Sequence, residues 1–328
     1  MVINLKVLLT GAFGNVGQNT VKQLIMRRHD VTCFDLPNSS NKKISAKLSK
    51  KLRFKTIWGN ILNKKDLNKA LKGIECIIHL AAIIPPISEK NPELARSVNI
   101  DGTRNLINAA KNLPNKPRFI IASSASVHGV TIDLKPPIRA DGPLDPSDNY
   151  SRSKVECEKM LKESGLPWII LRLGAVSVEK IPRKFESFLS LLFAMPLDQR
   201  IEFVSSNDCG IAFANAVTIE EVNRIYLIGG GESCQLLEKD FLEGFFDAFG
   251  LKMLPEKAFK VAKKKEDWFY IDWMDTKESQ EVLQFQTVTF QQYVNRMKHD
   301  YRMKRLGMKI IAPLAKLALI RMSPYIKS

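Results

Sequence analysis

The sequence predicts an α/β protein with a doubly wound parallel sheet and a smaller C-terminal α+β domain. Short apolar runs alternate with helical patterns through residues 4–173, which is typical of parallel strands joined by crossover helices. A glycine-rich run separates the first apolar run from the first helical pattern. The length of 328 residues exceeds the usual size of one core, so we expect two closely joined domains.

The first domain is predicted over residues 1–173 from its alternating elements. Asn91 and Pro92 suit a helix start, because asparagine caps and proline fits the first turn, and Gly165 closes the last helix. The patterns predict strands at 4–9, 30–35, 53–57, 74–80, 118–122 and 168–172, and helices from 16, at 64–71, at 91–112 and at 150–163.

The pattern becomes less regular after residue 173. We expect a second, substrate-binding domain over 174–295, packed against the first above the carboxyl ends of the strands. Residues 296–328 form a basic C-terminal extension. Within the second domain the patterns predict helices at 185–194, 208–217 and 237–249, and a strand at 224–228 that returns to the main sheet.

The glycine-rich run has the spacing of a dinucleotide-binding loop. Gly11 permits a tight turn, Gly14 lets the backbone approach a pyrophosphate, and Gly17 lets the helix lie close to the strand. The first N–H groups of that helix face the anion. The loop favours a Rossmann-type fold, although a glycine triplet by itself is also compatible with a simple tight turn.

A carboxylate ends the second predicted strand. Asp35 follows Gly17 by 18 residues, where a carboxylate accepts hydrogen bonds from ribose hydroxyls and repels a 2′-phosphate. NAD is therefore favoured over NADP. Lys42 and Lys43 follow closely and leave NADP open as the alternative.

Tyr150 and Lys154 stand one helical turn apart. A phenol titrates near about 10 and is a poor base at neutral pH, so a neighbouring ammonium that favours the phenolate is useful. We therefore expect Lys154 to lower the pKa of Tyr150. The pair indicates redox chemistry on an alcohol or a carbonyl, whereas two such residues alone also occur as an ordinary surface pair.

These motifs, in their order and spacing, resemble the extended short-chain dehydrogenase/reductase family, which includes NAD-dependent epimerases, dehydratases and 3β-hydroxysteroid-type dehydrogenases. The resemblance covers residues 4–230. It also rests on Gly59-Asn60-Ile61, His79-Leu80-Ala81-Ala82, Asn99-x-x-Gly102-Thr103 and Ser123-Ser124-x-x-Val127-x-Gly129.

The resemblance implies a catalytic set of Ser124, Tyr150 and Lys154. Ser124 would bond the reacting oxygen while Tyr150 moves its proton, and Lys154 would reach the nicotinamide ribose. The implied cofactor-binding residues are Gly11, Phe13, Gly14, Asn15, Val16, Gly17, Asp35, Asn60, Ile61, Leu80, Ala81, Ala82, Asn99, Tyr150 and Lys154. The residues expected to face the substrate are Ser124, Ser126, His128, Gly174 and Ala175.

Departures from the family pattern narrow the expected reaction. Asn60 replaces the aspartate that contacts adenine, but it still offers a carbonyl acceptor. Ala125 and Ser126 stand where dehydratases carry an Asp-Glu pair, so dehydration is disfavoured. Ala175 replaces an asparagine common in nucleotide-sugar enzymes, which weakens that substrate class without excluding it. His128 replaces a common tyrosine and either faces the substrate or fills space.

The sequence thus predicts an NAD(P)-dependent oxidoreductase acting on a secondary alcohol or its ketone. A nucleotide-sugar epimerase with bound NAD is the alternative enzyme, and a non-catalytic dinucleotide sensor or nucleic-acid-binding relative is the alternative of another class. We do not expect nucleic acid as a partner, because the basic segments lack the regular interleaving with aromatic residues that stacks bases. The family resemblance implies a homodimer through the helices at 91–112 and 150–163.

The formal net charge of +16 is unevenly distributed. Residues 41–55 contain seven lysines or arginines and no acidic residue. From Arg296 onward the chain contains nine basic residues and one acidic residue, Asp300. Such runs are either solvated surface or contacts for an anionic partner.

The C-terminal extension combines this charge with an apolar stripe. Leu306, Ile310, Leu314 and Leu317 recur at helical spacing, and Pro313 is expected to kink or restart the helix. The stripe over 302–321 either docks on the body of the protein or contacts an anionic membrane.

The positions of the cysteines and histidines argue against a disulfide framework and against a metal site. Five scattered cysteines predict free thiols in a reducing compartment, and four scattered histidines argue against a metal site.

The first strand begins within a few residues of the start, so we expect no signal peptide and a cytoplasmic protein. The apolar run at 310–320 is too short to cross a bilayer.

Overall fold

The computed structural model describes residues 4–177 and 192–326. Within these residues, seven parallel strands form the main sheet in the order β3-β2-β1-β4-β5-β6-β9, and three more form a small sheet in the order β10-β8-β7. The strands are β1 (Lys6–Thr10), β2 (Asp30–Asp35), β3 (Lys55–Trp58), β4 (Cys76–His79), β5 (Arg118–Ser124), β6 (Trp168–Leu173), β7 (Ala175–Val176), β8 (Arg200–Val204), β9 (Arg224–Ile228) and β10 (Gln235–Leu237).

The helices connect these strands. The helix expected at 91–112 is a run of two α-helices joined by a wider π-helical turn at Ser97–Gly102. The α-helices of the described residues are α1 (Asn15–Met26), α2 (Ser39–Ser49), α3 (Lys64–Ala70), α4 (Ile87–Lys90), α5 (Pro92–Arg96), α6 (Thr103–Lys111), α7 (Asn149–Lys162), α8 (Ser206–Asn215), α9 (Glu238–Ala248), α10 (Lys277–Leu283), α11 (Phe290–Asp300) and α12 (Arg302–Met322).

The central strands are apolar on both sides because helices cover both faces of the sheet. Val7 and Leu9 of β1 pack in a core that includes residues of α1 and α8. Leu8 points to the opposite face and packs in a core with residues of α3, α6 and α7. The predicted doubly wound parallel sheet is therefore confirmed.

The small sheet has a separate core. β10 pairs antiparallel with β8, and β7 pairs parallel with β8. An aromatic cluster with residues of α9 and α11 packs there, and the rings of Phe203 and Tyr293 lie 4.6 Å apart. The strand expected at 224–228 is β9, which pairs with β6 at the edge of the main sheet. Most of the helix expected at 185–194 lies outside the described residues, and the domain boundaries stay predictions.

The structure adds detail on the two basic segments. The lysine-rich segment contains α2, which Asn38 caps by accepting a hydrogen bond from the backbone of Asn41. Ile44 and Leu48 of α2 are half-buried against the core, so its lysines stay on the solvated side. The helix does not restart at Pro313, because α12 continues through this residue, and the alternative of a kink stays a prediction. The good helix formers on either side, such as Ala312 and Leu314, favour that continuation.

Glu238 starts α9 as an unusual buried acid. Its side chain is fully buried, and neither carboxylate oxygen has a hydrogen-bond partner. Burial raises the pKa of Glu238 from its ordinary value to about 8. The folded protein therefore binds this proton more tightly than the unfolded chain does. The free energy of unfolding falls as the pH rises from the ordinary pKa of a glutamate toward about 8, because Glu238 must then ionise while buried.

We predict that Glu238→Gln stabilises the protein more at pH 8 than at pH 5. The amide removes the ionisation, and the gain should grow by about 3 kcal/mol between these pH values. Urea unfolding at both pH values measures it. Glu243→Gln, an exposed position on the same helix, is the matched control and should shift both measurements equally. A gain for Glu238→Gln that does not grow with pH would contradict the prediction.

Candidate active site

The glycine loop brings α1 unusually close to the preceding turn. Gly11 has a φ of 67°, the left-handed region that favours glycine. A Cβ on residue 17 would lie 2.2 Å from the carbonyl oxygen of Gly11, which no side chain could tolerate. Gly14 caps α1 without a side-chain hydrogen bond, so no capping side chain covers the start of the helix. The loop therefore fits a dinucleotide pyrophosphate.

Asp35 lies beside this loop at the end of β2. Its Oδ2 accepts a hydrogen bond from the backbone of Phe13 at 3.0 Å, and its Oδ1 accepts from Asn41 Nδ2 at 2.9 Å. Burial raises its pKa, and the backbone bonds from Phe13 and Leu36 oppose that rise. Each carboxylate oxygen can accept more than one hydrogen bond, so Asp35 retains capacity for a ribose hydroxyl.

The side chains of Phe13 and Asn15 in the loop make contacts within the protein. The ring of Phe13 is buried and packs against Trp58 at 5.3 Å, so its link to the site is through its backbone. Asn15 donates from Nδ2 to the carbonyl oxygen of Ser177 at 2.7 Å. Val16, the next residue of α1, is half-buried. Asn15 thus joins the loop to the segment that follows β7.

In the turn after β3, the side chain of Asn60 is hydrogen-bonded within the turn. Asn60 Oδ1 accepts from the backbone of Leu62 at 3.0 Å, and the Asn60 backbone donates to Asp66 at 2.9 Å. The acceptor expected for adenine is therefore already engaged in a local turn, with one lone pair left. Ile61 is buried, and a Cβ on residue 102 would lie 2.4 Å from its side chain.

A chain of hydrogen bonds positions the loop after β4, which holds Leu80, Ala81 and Ala82. The backbone of Ala81 donates to Thr10 Oγ1 at 3.3 Å, and that hydroxyl lies 2.7 Å from His79 Nδ1. His79 Nε2 lies 2.9 Å from Thr103 Oγ1, which itself donates to the carbonyl of Asn99. This order assigns the proton of His79 to Nε2. Burial lowers the pKa of His79 to about 3, so the ring is neutral.

Asn99 secures the same loop with its side chain. Its Oδ1 accepts from the backbone of Ile83 at 2.7 Å, and its Nδ2 donates to the carbonyl of Ile83 and to Ser153 Oγ. The side chain is 2% exposed. These bonds give Asn99 a role in holding the loop against α7, and its contact with a cofactor stays a prediction.

The three candidate catalytic residues lie on β5 and α7. Ser124 ends β5, and its Oγ accepts from the Oγ of Ser126 at 2.8 Å. Lys154 Nζ donates to the carbonyl of Ala122 at 2.8 Å and lies 5.5 Å from the ring centroid of Tyr150. Because Ala122 precedes Ser124 by two residues, this bond holds the Tyr150–Lys154 turn against the end of β5.

The electrostatics of this pair correct the sequence expectation. Burial and the nearby Asp148 carboxylate raise the pKa of Tyr150, whereas we expected Lys154 to lower it. Burial also lowers the pKa of Lys154. The ammonium lies over the ring and donates to a backbone carbonyl, so its charge does not outweigh the loss of water around the phenol.

Two residues that sequence reasoning missed lie next to Tyr150. Glu89 of α4 accepts from the backbone N–H groups of Asn149 at 3.1 Å and Tyr150 at 3.3 Å, and thereby caps α7. Burial raises the pKa of Tyr270. The nearby Asp148, Glu89 and Tyr150 raise it further. No local pattern could have revealed either residue, since both are distant in sequence.

A buried ion pair lies under Ser124. Arg172 Nη2 contacts Glu158 Oε2 at 2.7 Å, and Ser123 Oγ donates to Glu158 Oε1 at 2.6 Å. Burial alone would raise the pKa of Glu158, but the hydrogen bonds and charge of Arg172 lower it overall. Arg172 also donates to His128 Nε2 at 3.0 Å, and His128 Nδ1 lies 2.9 Å from the carbonyl of Pro143.

This network changes the expectation for His128. The side chain is 3% exposed, and both ring nitrogens are engaged inside the protein. Burial and Arg172 lower its pKa, which keeps it neutral. His128 therefore fills space and supports the network, and the expected contact with a substrate has no support in this geometry.

Gly174 and Ala175 lie where the chain leaves the main sheet. The backbone of Gly174 donates to the carbonyl of Ile228, and Ala175 pairs with Phe203 in the small sheet. Both are half-buried, so their contact with a substrate stays a prediction. Ser126 is buried, and its hydroxyl donates to Ser124.

Comparison with known proteins decides the family. The model of the NAD dependent epimerase/dehydratase family matches residues 7–229. The chain belongs to this family. Among curated members, it is 32% identical over 165 residues to a 3-beta-hydroxysteroid dehydrogenase of Mycolicibacterium neoaurum, covering 48% of this chain and 42% of that protein. It is 28% identical over 247 residues to the UDP-glucose 4-epimerase of Vibrio cholerae, covering 71% of this chain and 73% of that protein.

Solved structures agree with the epimerase/dehydratase fold. The UDP-glucuronic acid 4-epimerase of Bacillus cereus, in complex with UDP-glucuronic acid and NAD, superposes with a TM-score of 0.75 at 22% identity. The superposition covers 91% of this chain and 99% of that chain. Identity at this level relates the fold alone.

We predict that Arg172→Met destabilises the protein by about 3–5 kcal/mol, because it removes the closest cationic partner of the buried Glu158 and leaves Lys162 Nζ at 3.7 Å. Because the pKa of Glu158 is lowered by Arg172, the loss should be largest near neutral pH and shrink as the pH falls toward the ordinary titration of glutamate. Chemical unfolding at two pH values measures it. The double variant Glu158→Gln/Arg172→Met is the control and should recover part of the stability. A loss independent of pH would contradict this account.

Proposed function

We propose that this protein is an NAD-dependent oxidoreductase that interconverts a secondary alcohol and its ketone. The observation that carries the proposal is the bond from Lys154 to Ala122, because it sets Tyr150 and Lys154 against the end of the strand that carries Ser124. The glycine loop and Asp35 lie at the carboxyl ends of neighbouring strands of the same sheet. Family membership and the resemblance to a 3-beta-hydroxysteroid dehydrogenase support this reaction class.

The cofactor site is proposed to use the loop between β1 and α1. The N–H groups at the start of α1 would bind the pyrophosphate, and Asp35 would accept hydrogen bonds from the adenosine ribose. Bound NAD supplies the hydride acceptor or donor of the reaction. Asp35 would repel a 2′-phosphate, so NAD is preferred over NADP.

The chemical step is proposed to depend on three side chains. Tyr150 accepts the hydroxyl proton when the alcohol is oxidised and returns it when the ketone is reduced. Ser124 donates a hydrogen bond to the same oxygen and stabilises the negative charge that develops there. Lys154 orients the cofactor ribose.

A nucleotide-sugar epimerase is the second candidate. The match to a UDP-glucose 4-epimerase along 71% of this chain favours it, while Ala175 in place of the usual asparagine weakens it. Incubation with UDP-glucose or a 3β-hydroxysteroid distinguishes the two. Net NADH formation supports the dehydrogenase, whereas sugar inversion with bound NAD and no net reduction supports the epimerase.

The assembly and setting are also proposed. We expect a homodimer through α5, α6 and α7, in a reducing cytoplasmic compartment. Sedimentation of the purified protein tests the dimer.

We predict that Tyr150→Phe lowers turnover by about 10³-fold, because the proton then has no positioned acceptor. Binding of NADH, followed by fluorescence titration, should change less than about twofold, since the phenol contributes to chemistry more than to binding. Tyr301→Phe, a tyrosine of the C-terminal part, is the matched control and should leave both quantities unchanged. Equal turnover of Tyr150→Phe and the wild type would favour a non-catalytic dinucleotide sensor.

We predict that Asp35→Asn improves NADP binding by about tenfold, because it removes the charge that repels a 2′-phosphate. The amide keeps the shape of the side chain, so NAD should weaken only modestly. Titration with both dinucleotides measures the ratio. Asp30→Asn, an exposed position that begins the same strand, should leave the ratio unchanged. The assignment of Asp35 fails if its variant discriminates as strongly as the wild type.

A further inference from the structure

Helix α12 presents an apolar stripe to solvent. Met303, Leu306, Ile310 and Leu314 are 75%, 62%, 79% and 71% exposed, and Leu317 is 45% exposed. Their spacing of three or four residues places them on one face of the helix. Scattered exposed apolar residues are ordinary in proteins, but a contiguous stripe of this length usually marks a contact surface.

The other side of α12 docks on the protein. Within this helix, all of which is described, Leu319 is the residue classed as buried, and it packs in the aromatic core of the second domain. Arg305 binds Asp247 of α9 at 3.0 Å, and Ser323, just after the helix, donates to the carbonyl of Ala258 at 2.6 Å. The helix is therefore anchored, and its apolar stripe is not the face that anchors it.

Basic residues border the stripe. Arg302, Lys309 and Lys316 recur every seven residues, which places them together along one side of it. The helix carries six basic residues and no acid. Among the described residues, Arg305 is the member of this set with an ion pair. Lys304 lies over the ring of Tyr301 at 5.6 Å.

We propose that α12 docks this protein on the surface of an anionic phospholipid bilayer, lying in the plane of the interface. The exposed stripe would enter the boundary between headgroups and acyl chains, and the bordering cations would meet the lipid phosphates and carboxylates. In the described residues, no helix has the length and apolarity to cross a membrane.

Charge and apolarity together favour lipid over other occupants of this face. A second copy of the chain would bring six basic residues against six, so like charges would oppose the contact. Nucleic acid would engage the cations but leave the apolar stripe in water. An anionic bilayer satisfies both parts of the surface at once.

Co-sedimentation of the full chain with vesicles tests the proposal. The probes are vesicles of phosphatidylcholine alone and vesicles with about 30% phosphatidylserine, an anionic surface of physiological type. The wild type should bind the anionic vesicles and remain in solution with the neutral ones. Binding should fall as salt is added, because screening weakens the attraction of the cations.

Two triple variants separate the apolar and charged contributions. Leu306→Gln/Ile310→Gln/Leu314→Gln removes the stripe while keeping residues that favour a helix. Lys309→Gln/Lys316→Gln/Arg321→Gln removes three charges. Each should lower the partition coefficient by about 100-fold or more. Circular dichroism checks that both variants remain folded, and the exposure of the replaced apolar residues makes misfolding unexpected.

Matched controls lie on the first domain. Lys69→Gln/Lys72→Gln/Lys111→Gln removes three exposed charges from α3, its following turn and α6, and should bind anionic vesicles like the wild type. An equal loss in this control would mean that net charge alone drives binding, and would overturn the proposal.

Other outcomes also overturn it. The proposal fails if the wild type does not bind anionic vesicles, or if the stripe variant binds them as well as the wild type. A wild-type dimer that the stripe variant abolishes, without vesicle binding, would assign the face to self-association. Salt-dependent RNA binding without vesicle binding would assign it to nucleic acid. None of these results depends on turnover, so this proposal and the proposed function stand or fall separately.

Discussion

The rest of the structure depends on the close backbone contacts of α1. A Cβ on residue 17 would lie 2.2 Å from the carbonyl of Gly11, and a Cβ on residue 210 would lie 2.8 Å from the backbone of Asn19. Glycine therefore lets α1 approach the phosphate loop at one end and α8 along its side. Asn19 uses this approach to donate to Ser206 Oγ at 3.1 Å. The loop, the main sheet and α8 are thus held in one arrangement.

Buried polar side chains then set the geometry around the candidate catalytic residues. His79 links β1 to the helix that follows the π-helical turn, and Glu89 fixes the first turn of α7 from a separate helix. The Glu158–Arg172 pair supports the end of β5 through Ser123. Such groups are costly to bury unless they are paired, so their pairing selects one arrangement of these elements over others.

Local patterns allowed the sheet, the glycine loop and the Tyr150–Lys154 turn to be predicted. The periodicity of apolar residues indicates which side of an element is buried, and a glycine in a tight loop indicates a close backbone contact. Both features can therefore be recognised without knowing the fold. Glu89 and Tyr270 could not be predicted, because the interactions that relate them to Tyr150 join distant parts of the chain. The direction of the Tyr150 pKa shift was wrong for a related reason, since desolvation depends on neighbours that no spacing reveals.

The sequence by itself determined the fold class, the family and the chemical types of the candidate site residues, because these follow from local pattern and motif spacing. Only the tertiary structure decided which side chains serve the interior. His128 and Asn99 have residue types compatible with ligand contact, yet their polar groups are taken up by neighbours within the fold. Helix α12 shows the same division. Its amphipathic pattern is readable in the sequence, but the anchoring of Leu319 and Arg305 decided that the apolar stripe faces outward.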